Sequence, residues 1–597
     1  MLTQKFLVAL MIIFIKDQGF LLSPLTLIFK SKIVIIMKNK LIIRICYFVF
    51  ITTIITSCVK DLDTLPLNKR VLTAEQIYET ENGYISVLGK IYGSLILNGQ
   101  DGPDRDGDLA GLDVGYSGYT RALFYLQESA TDHIALHAGS SQGSRDYLFV
   151  NWNPSTIISK YAYYRLYMTI AYCNEFLRET SDEKLRSRGL FDKMQVNAGF
   201  YRAEARFIRA YCYSMICDLY GSGPFIDETM PAGSIPKQRT REEIYTFAVK
   251  ELEDVKGKMK SPGTNVYGRV DQVSAWFLLS RIYLNAQSWI GKNEYQKAYD
   301  YSKMIISNGT YPLASDYRHI FLADNNTCKE IIWPLPQDPE FTINSAGTSW
   351  LIKALINGRM SNFYLTGIGS RGFGNARAKT NLIDKFVTAD QMFVLNDTWG
   401  DRKSDKRAQF FTNGHTKETW RTNTAFQNDF TNGFAIIKWR NVFKNRQDIA
   451  TGGTTYSSVD YPMFRSADAY LMAAEAILRG ANGSRVEALG YINQLRDRAY
   501  LSGAYGSDPS GRINDGQLTL DFILDERSRE LYTESIRRTD LIRFDRYTKN
   551  YNWDWKGSDG TANNFKGRDV DDKFKLFPIP QDEFTVNPNL QQNPNFK

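Results

Sequence analysis

The chain has 597 residues, of which 43% are hydrophobic and 23% are charged, an ordinary composition for a globular protein with a sizeable core. Its formal net charge of +8 is concentrated before residue 58, where seven basic residues stand against one acidic residue. The remainder is close to neutral, which excludes a strongly basic nucleic-acid-binding surface. The aromatic content of 13% suits flat ligands such as sugars, and equally a large core with tyrosines at the surface.

The N-terminal segment contains an export signal. After Met37, a short basic stretch precedes the apolar run Ile45–Ile55, which is short for a membrane span and typical of a signal peptide. An aliphatic residue and two small residues then precede Cys58, an order that predicts cleavage and lipidation at this cysteine. Residues 1–57 are therefore an upstream extension plus a lipoprotein signal peptide, with either Met1 or Met37 as the start, and residues 58–72 are a lipidated tether.

Cysteine and histidine spacing predicts no metal site and no cofactor. No CxxC pair occurs, which argues against a zinc ribbon or a redox motif and favours buried free thiols at Cys173, Cys212, Cys217 and Cys328. His133 and His137 are four positions apart, but no HExxH motif surrounds them. The acidic run at 101–108 lacks the closing acidic ligand of a calcium loop.

Helical periodicity recurs along most of the chain. Thr73 can cap a first helix that extends to about residue 97, and Thr240 can cap another from residue 241. Further helices are predicted over 158–179, 201–221, 269–286, 294–307, 466–480 and 484–500. The helices over 269–286 and 294–307 alternate small and large residues in a way that resembles tetratricopeptide helix pairs.

Residues 310–462 have a different composition, rich in Gly, Asn, Thr and aromatic residues, and helical periodicity fades there. A segment of this length is too long for one structureless loop, so it predicts an inserted, irregular subdomain with short strands. The best strand candidates are Ile331–Trp333 and Phe434–Trp439.

The stretch Leu520–Phe544 has the densest mixture of arginines and carboxylates and predicts one helix capped by Thr519. Asp525 with Arg529, and Glu534 with Arg538, are spaced to pair along that helix. The charge pattern alone favours a solvated surface helix. The alternative is an arginine-rich helix whose guanidinium groups hydrogen-bond other elements and determine their packing.

Five stretches together resemble a known family, the SusD/RagB outer-membrane lipoproteins that capture nutrients for a TonB-dependent transporter. They are Arg202–Tyr220, Arg269–Ala286, Tyr461–Ala476, Leu524–Phe544 and Phe577–Pro594. There are two departures from the family pattern. Ser404-Asp405-Lys406-Arg407 only partly fits the acidic-basic patch of the family, and the tail lacks the common Gly after Asn593-Pro594.

The resemblance implies a mainly α fold, a superhelix of tetratricopeptide-like helix pairs carrying a loop-rich irregular insertion with short strands. We expect a single domain over 73–597, with a helical body at 73–309 and 463–597 and a ligand-binding insertion at 310–462. The family binds without catalysis. The resemblance therefore implies a lipid-anchored protein on the exterior of the outer membrane, with no nucleic-acid partner, that delivers an oligosaccharide to a SusC-like transporter. The alternatives are a peptide ligand or, in a different class, a secreted glycan-degrading enzyme.

Sugar binding needs aromatic faces and polar side chains, and the family offers no fixed motif for the ligand site. We therefore expect the site to come from two places: the Gly- and Asp-rich stretch from residue 98 to about residue 120, which is predicted to be a loop, and the insertion. The predicted ligand-binding residues are Tyr116, Tyr119, Arg121, Trp350, Phe363 and Tyr364. Trp350 is the best single candidate because it lies in a Gly/Ser-rich stretch predicted to be a loop, although it could equally fill the core of the insertion.

Overall fold

The structure is a computed structural model. It describes residues 72–596 apart from 101, 103–104, 137–142, 232, 357–359, 361–366, 369–371, 387–404, 413, 420–430, 446–454, 501–510 and 560–564. Cys58 and almost all of its tether lie outside the described residues. Within them, none of the helices combines the length and the hydropathy needed to span a lipid bilayer. The chain divides into a unit that ends at Ile77 and a second unit over Tyr78–Lys597.

The helices, numbered in chain order within the described residues, are α1 Ala74–Ile77, α2 Glu81–Ile96, α3 Tyr119–Phe124, α4 Ser144–Phe149, α5 Ile157–Glu179, α6 Asp182–Ser187, α7 Phe191–Leu219, α8 Arg241–Val255, α9 Gln272–Ile290, α10 Tyr295–Asn308, α11 Gly347–Leu355, α12 Thr380–Ile383, α13 Ser466–Leu478, α14 Arg485–Tyr500, α15 Leu520–Leu531, α16 Arg537–Arg543 and α17 Glu583–Val586. The strands are β1 Ile134–Leu136, β2 Gly223–Pro224, β3 Gln238–Arg239, β4 Ile331–Leu335, β5 Ala376–Ala378, β6 Phe410–Phe411, β7 Ala435–Ile436 and β8 Tyr461–Arg465.

The prediction of one continuous first helix is wrong, because the structure has two helices there, α1 and α2. Thr80 has an extended backbone, and its hydroxyl accepts a hydrogen bond from Gly83 N, so it caps a new helix. Ile85, an apolar residue of that predicted helix, is 40% exposed. The helices predicted from residue 158 to residue 307 and from residue 466 to residue 500 are present, and Thr240 forms a capping box with Glu243 at the start of α8.

The long helices form one continuous stack. α5 packs on α7, α7 on α8, α8 on α9, α9 on α10, α10 on α13 and α13 on α14. Small residues allow close approach at the α9–α10 contact, where Ser280 donates a hydrogen bond of 2.8 Å to the carbonyl of Ala298. Each helix buries its apolar face against its neighbours in the stack, as in a solenoid of repeats. The predicted superhelix of helix pairs is confirmed.

The irregular segment leaves the stack after α10 and returns at α13. Its two ends are held together because β4 and β8 pair antiparallel, with Ile331 opposite Arg465 and Leu335 opposite Tyr461. Both predicted strands exist. The second, predicted over Phe434–Trp439, is shorter in the structure and covers only Ala435–Ile436, which is β7. The segment also contains α11, and β5 pairs with β1 of the preceding part of the chain.

Aromatic side chains connect this strand pair to the helical stack. The ring of Trp333 on β4 lies 5.1 Å from that of Phe464 on β8, 5.5 Å from Phe207 and 5.1 Å from Tyr211, the last two on α7. Phe464 also stacks on Phe277 of α9 at 4.5 Å. Such packed aromatic contacts bury large areas and stabilise the junction.

The stretch Leu520–Phe544 is not one helix on the surface. It forms α15 and α16, and the chain between them turns through left-handed residues Thr533 (φ 65°) and Ser535 (φ 59°). Most of its charged side chains are buried: Glu530 has no exposed surface and Arg537 is 1% exposed. The surface interpretation is therefore wrong, and the packing interpretation is confirmed.

The predicted pairs within that stretch do not form, because partners from other elements take their place. Asp525 pairs with Lys385 at 2.9 Å, and Glu534 pairs with Lys438 at 2.7 Å. Arg529 pairs with Glu526, and Arg538 donates to the carbonyl of Lys575. Each of these contacts except the Arg529–Glu526 pair joins α15, α16 or the turn between them to a distant part of the chain.

Glu530 lies at the centre of the buried ion-pair network. It accepts hydrogen bonds from Arg465 at 2.7 Å, from Arg407 at 3.1 Å and from Arg498. Burial raises the pKa of its carboxyl, but these guanidinium groups outweigh burial and hold the pKa far below its usual range. Arg407 belongs to the stretch 404–407, which only partly fits the acidic-basic patch of the family. It connects the irregular segment to α15.

Candidate ligand-binding site

An aromatic stack forms where residues 116–125 meet α11. It consists of Tyr116, Arg121, Tyr125 and Trp350. The guanidinium carbon of Arg121 lies 3.7 Å from the Tyr116 ring centre and 4.9 Å from that of Trp350. The structure therefore brings together three of the predicted ligand-binding residues, from two segments more than 220 positions apart in sequence.

Trp350 forms the buried base of the aromatic stack. It lies on α11 and not in a loop, and it is 3% exposed. Its ring stacks on Tyr125 at 5.7 Å and meets the Phe124 ring edge-on at 5.5 Å. The expectation of a loop position failed because Gly347 and Ser349 lie in the first turn of a helix whose next residues are apolar.

Tyr119 points away from the aromatic stack. It is on α3 and is 2% exposed, and its hydroxyl hydrogen-bonds the hydroxyl of Tyr211 on α7. Arg121 is also on α3, so these two residues belong to a helix where a loop was expected. Tyr116 precedes α3, is partly exposed, and has its backbone N–H bound to Asp113 Oδ1 at 2.9 Å.

Glycines allow the two segments of the site to approach each other. A Cβ at Gly118 would lie 2.2 Å from Ala346 Cβ, and one at Gly115 would lie 2.8 Å from Arg121 Nη1. Across the same contact, the Gly347 N–H donates a hydrogen bond of 3.1 Å to Thr120 Oγ1. Close packing of the backbone is what holds Arg121 against the Tyr116 ring.

Two predicted ligand-binding residues, Phe363 and Tyr364, lie outside the described residues. Sequence reasoning missed Phe341, the most exposed aromatic residue among those that the structure describes in this region, at 77% exposed. The side chain of Asp338 accepts hydrogen bonds from the backbone N–H groups of Glu340 and Phe341, and this turn presents the Phe341 ring to solvent. The Asp-Pro dipeptide at 338–339 is a turn signal that could have indicated it.

Comparison with known proteins then identifies the family. The Starch-binding protein SusD of Bacteroides thetaiotaomicron is 30% identical to this chain over 577 residues, which cover 91% of the chain and 96% of the relative. The chain belongs to the SusD family. The SusD family model matches residues 357–596. The SusD-like protein P25 of Formosa agariphila is 27% identical over 57% of the chain and 63% of its own length.

Solved structures share the SusD fold. Surface glycan-binding protein A from Bacteroides fluxus aligns with a TM-score of 0.63 at 20% identity and covers 86% of this chain and 99% of its own. A SusD superfamily protein from Bacteroides vulgatus aligns with a TM-score of 0.62 at 18% identity, with the same coverage. At these identities the likeness establishes the fold alone.

One arrangement in this SusD-family chain has the geometry of a nucleophilic triad. His133 Nε2 lies 2.5 Å from Ser528 Oγ, and His133 Nδ1 lies 2.8 Å from Glu128 Oε2. A triad of this kind acts on a substrate that reaches the serine. Ser528 and Glu128 have no exposed surface and His133 is 1% exposed, so no substrate reaches them in this structure.

The arrangement instead holds parts of the SusD fold together. Glu128 Oε1 accepts a hydrogen bond of 2.9 Å from Ser535 N, which secures the left-handed turn between α15 and α16. Burial lowers the pKa of His133 even though Glu128 lies beside it, which favours the neutral ring. The trio thus connects the π-helical turn Tyr125–Ser129, which follows α3, to α15.

Proposed function

We propose that this chain binds an oligosaccharide, with a starch-type or related glucan as the first candidate. The observation that carries the proposal is the 30% identity, over nearly the whole of both chains, to a relative named as starch-binding. A structure of the same fold, the surface glycan-binding protein A of Bacteroides thetaiotaomicron, was solved with laminarihexaose, at 21% identity and a TM-score of 0.60.

The aromatic stack supports this proposal and is the site that we assign to the ligand. A sugar ring has C–H groups on its faces that pack on aromatic rings and hydroxyl groups at its edge that need hydrogen-bond partners. Tyr116 offers a partly exposed ring, and Arg121, which packs against it, offers N–H donors. Trp350 and Tyr125 lie beneath them and keep both side chains in place, which reduces the entropy lost on binding.

We propose binding without chemistry, because the serine–histidine–glutamate trio is closed to substrates and connects structural elements. We also propose attachment to the outer membrane through lipidated Cys58 and transfer of the ligand to a SusC-like TonB-dependent transporter. Labelling of cells with an alkyne-bearing fatty acid tests the anchor: Cys58→Ser is expected to abolish the label. Co-purification from native membranes tests the transporter, and its absence from the purified complex would contradict that partner.

The test of ligand binding is isothermal titration calorimetry of the purified chain with maltoheptaose and laminarihexaose, supported by a glycan array. We expect saturable binding to at least one glucan, and loss of that binding in Tyr116→Ala. An array on which no oligosaccharide binds, together with flat titrations of both glucans, would overturn the proposal.

A further inference from the structure

Tyr267 combines an exposed ring with a buried, fixed hydroxyl. It lies in the loop between α8 and α9, and 48% of its surface is exposed. Its hydroxyl donates a hydrogen bond to Asp460 Oδ2, and Asp460 is 3% exposed. The ring is therefore tethered at its far end and presents its surface to solvent in one orientation.

The same carboxylate holds the start of the segment that carries Phe341. Asp460 Oδ1 accepts a hydrogen bond of 2.7 Å from Gln337 N. Beside it, a Cβ at Gly268 would lie 2.8 Å from Pro336 Cγ, so the Gly268 backbone packs closely against the Pro336 ring. Asp460 thus joins the loop of Tyr267, which belongs to the helical body, to the irregular segment.

The segment after Gln337 leads directly to the aromatic stack. It passes through the exposed Phe341 and reaches Ser345, whose Cβ lies 3.8 Å from the Cβ position of Gly115. Gln337 Oε1 lies 2.5 Å from the position that a Cβ would take at Gly347, the first residue of α11. The two ends of the segment therefore lie close together. Residues 338–343 are all partly or fully exposed, so this segment forms surface between the place next to Tyr116 and the place next to Tyr267.

We propose that Tyr267, together with its neighbour Val266, which is 66% exposed, is a second sugar-stacking subsite on this surface. Its occupant is the far end of the same oligosaccharide that the aromatic stack binds, so the inference rests on the proposed function. A tyrosine whose hydroxyl already has a buried partner offers its ring face to a ligand, and little side-chain entropy remains to be lost. The ligand is consequently a chain long enough to reach both subsites.

This arrangement distinguishes long chains from short ones. A short oligosaccharide occupies the aromatic stack alone and gains nothing from Tyr267. A longer one contacts both places, and the second contact is intramolecular once the first is made. Affinity should therefore rise with chain length in the wild-type chain, and the rise should depend on the Tyr267 ring.

The experiment is calorimetry with maltotriose, maltoheptaose, laminaritriose and laminarihexaose on the wild type, Tyr267→Ala, Tyr267→Phe and Tyr116→Ala. We expect Tyr267→Ala to weaken binding of the longer sugar of the bound series at least about fivefold and to leave the trisaccharide unchanged. Tyr267→Phe retains the ring and should lose less. Val586→Ala, at a residue 68% exposed on α17, serves as the matched surface control.

Unchanged affinity of Tyr267→Ala for the longer sugar would overturn the subsite while leaving the proposed function standing, provided that Tyr116→Ala still loses binding. An equal loss for the short and long sugars would also overturn it, because Tyr267 would then act on the aromatic stack itself. A wild-type chain that binds none of the four sugars would overturn the glucan proposal and the subsite with it. Melting temperatures of all variants establish that each is folded.

Discussion

Arg537 Nε and Nη2 each donate a hydrogen bond of 2.8 Å to a different oxygen of Asp132. Neither side chain is more than 1% exposed, and the pair joins α16 to the turn before β1 across 405 positions of sequence. Burial raises the pKa of Asp132, but the Arg537 guanidinium outweighs burial and lowers it well below its usual range. The charged stretch that dominates the C-terminal sequence is therefore a structural joint between distant segments.

Arg537→Ala should destabilise the fold far more than it weakens ligand binding. Removing one partner leaves a buried carboxylate without its counter-charge, which costs about 3–5 kcal/mol. Thermal unfolding and sugar titration of the same sample measure the two effects. Arg546→Ala is the matched control, because its ion pair with Asp521 is largely exposed and worth little. A large loss of affinity with an unchanged melting temperature would place Arg537 in the binding site.

Acid should unfold the chain through its buried carboxylates. Burial raises the pKa of Glu526 and Glu475, but the surrounding arginines outweigh burial and bring both values to about 2. Because these values are lower in the folded chain than in the unfolded chain, the carboxylates stabilise the fold above about pH 4.5 and lose that effect as pH falls toward 2. For each carboxyl group, a lowering of the pKa of this size on folding corresponds to about 3 kcal/mol of the free energy of unfolding.

The measurement is the melting temperature as a function of pH, which should fall steeply below about pH 4.5. Glu475→Gln should be less stable at pH 7 because its two arginine partners, Arg479 and Arg543, lose their counter-charge. Its melting temperature should also depend less on acid than that of the wild type. A melting temperature that is equal at pH 3 and pH 6 would contradict this account of the network.

Tyr116→Ala and Trp350→Ala should separate binding from stability within the aromatic stack. Tyr116 is partly exposed, so its removal should weaken sugar binding by about tenfold or more, or ~1.4 kcal/mol, with little effect on the melting temperature. Trp350 is buried, so its removal leaves a cavity and should cost about 3–5 kcal/mol of stability. Calorimetry and thermal unfolding check both. Tyr116→Ala with full affinity would remove the aromatic stack from the site.

Ser528→Ala should affect stability and not activity. The substitution leaves the buried His133 Nε2 without its partner, which costs about 1–3 kcal/mol. Incubation of the wild-type chain with soluble starch and laminarin should release no reducing ends. Sugar release that disappears in Ser528→Ala would show that the trio opens to substrates and that the chain is an enzyme.

Much of the helical architecture was predictable because apolar periodicity and capping residues are local signals. Thr240 with Glu243 indicates the start of α8, and the small residues of α9 and α10 indicate their close contact. The burial of Arg537 and Glu530 was not predictable from charge pattern alone, since a paired buried charge and a solvated one have the same local sequence. Family resemblance, which is a non-local signal, favoured the correct interpretation.

The candidate ligand-binding site was predictable only in part. The search for aromatic and polar residues in loops singled out Tyr116, Arg121 and Trp350, which the fold brings together, and their role in binding stays a prediction. Sequence did not show that Trp350 would lie in a helix and be buried. Its burial depends on Tyr125 and Phe124, which pack against it from another segment. Tyr267 carried no sequence signal, since the role that we propose for it depends on Asp460, 193 positions away.

The antiparallel pairing of β4 with β8 has a consequence for replacement of the irregular segment. Because the pairing brings both ends of the irregular segment to one place on the stack, the segment can be replaced by another of different length without moving α10 or α13, as in tolerated domain insertions. Besides this strand pair, the segment contacts the rest of the chain through the Trp333 rings, the β1–β5 pair, the α11 side of the aromatic stack and the Arg407 ion pairs. A chimaera that grafts a relative's segment with these contacts retained should keep this stack together with Tyr116, Arg121 and Tyr267 of the proposed binding surface.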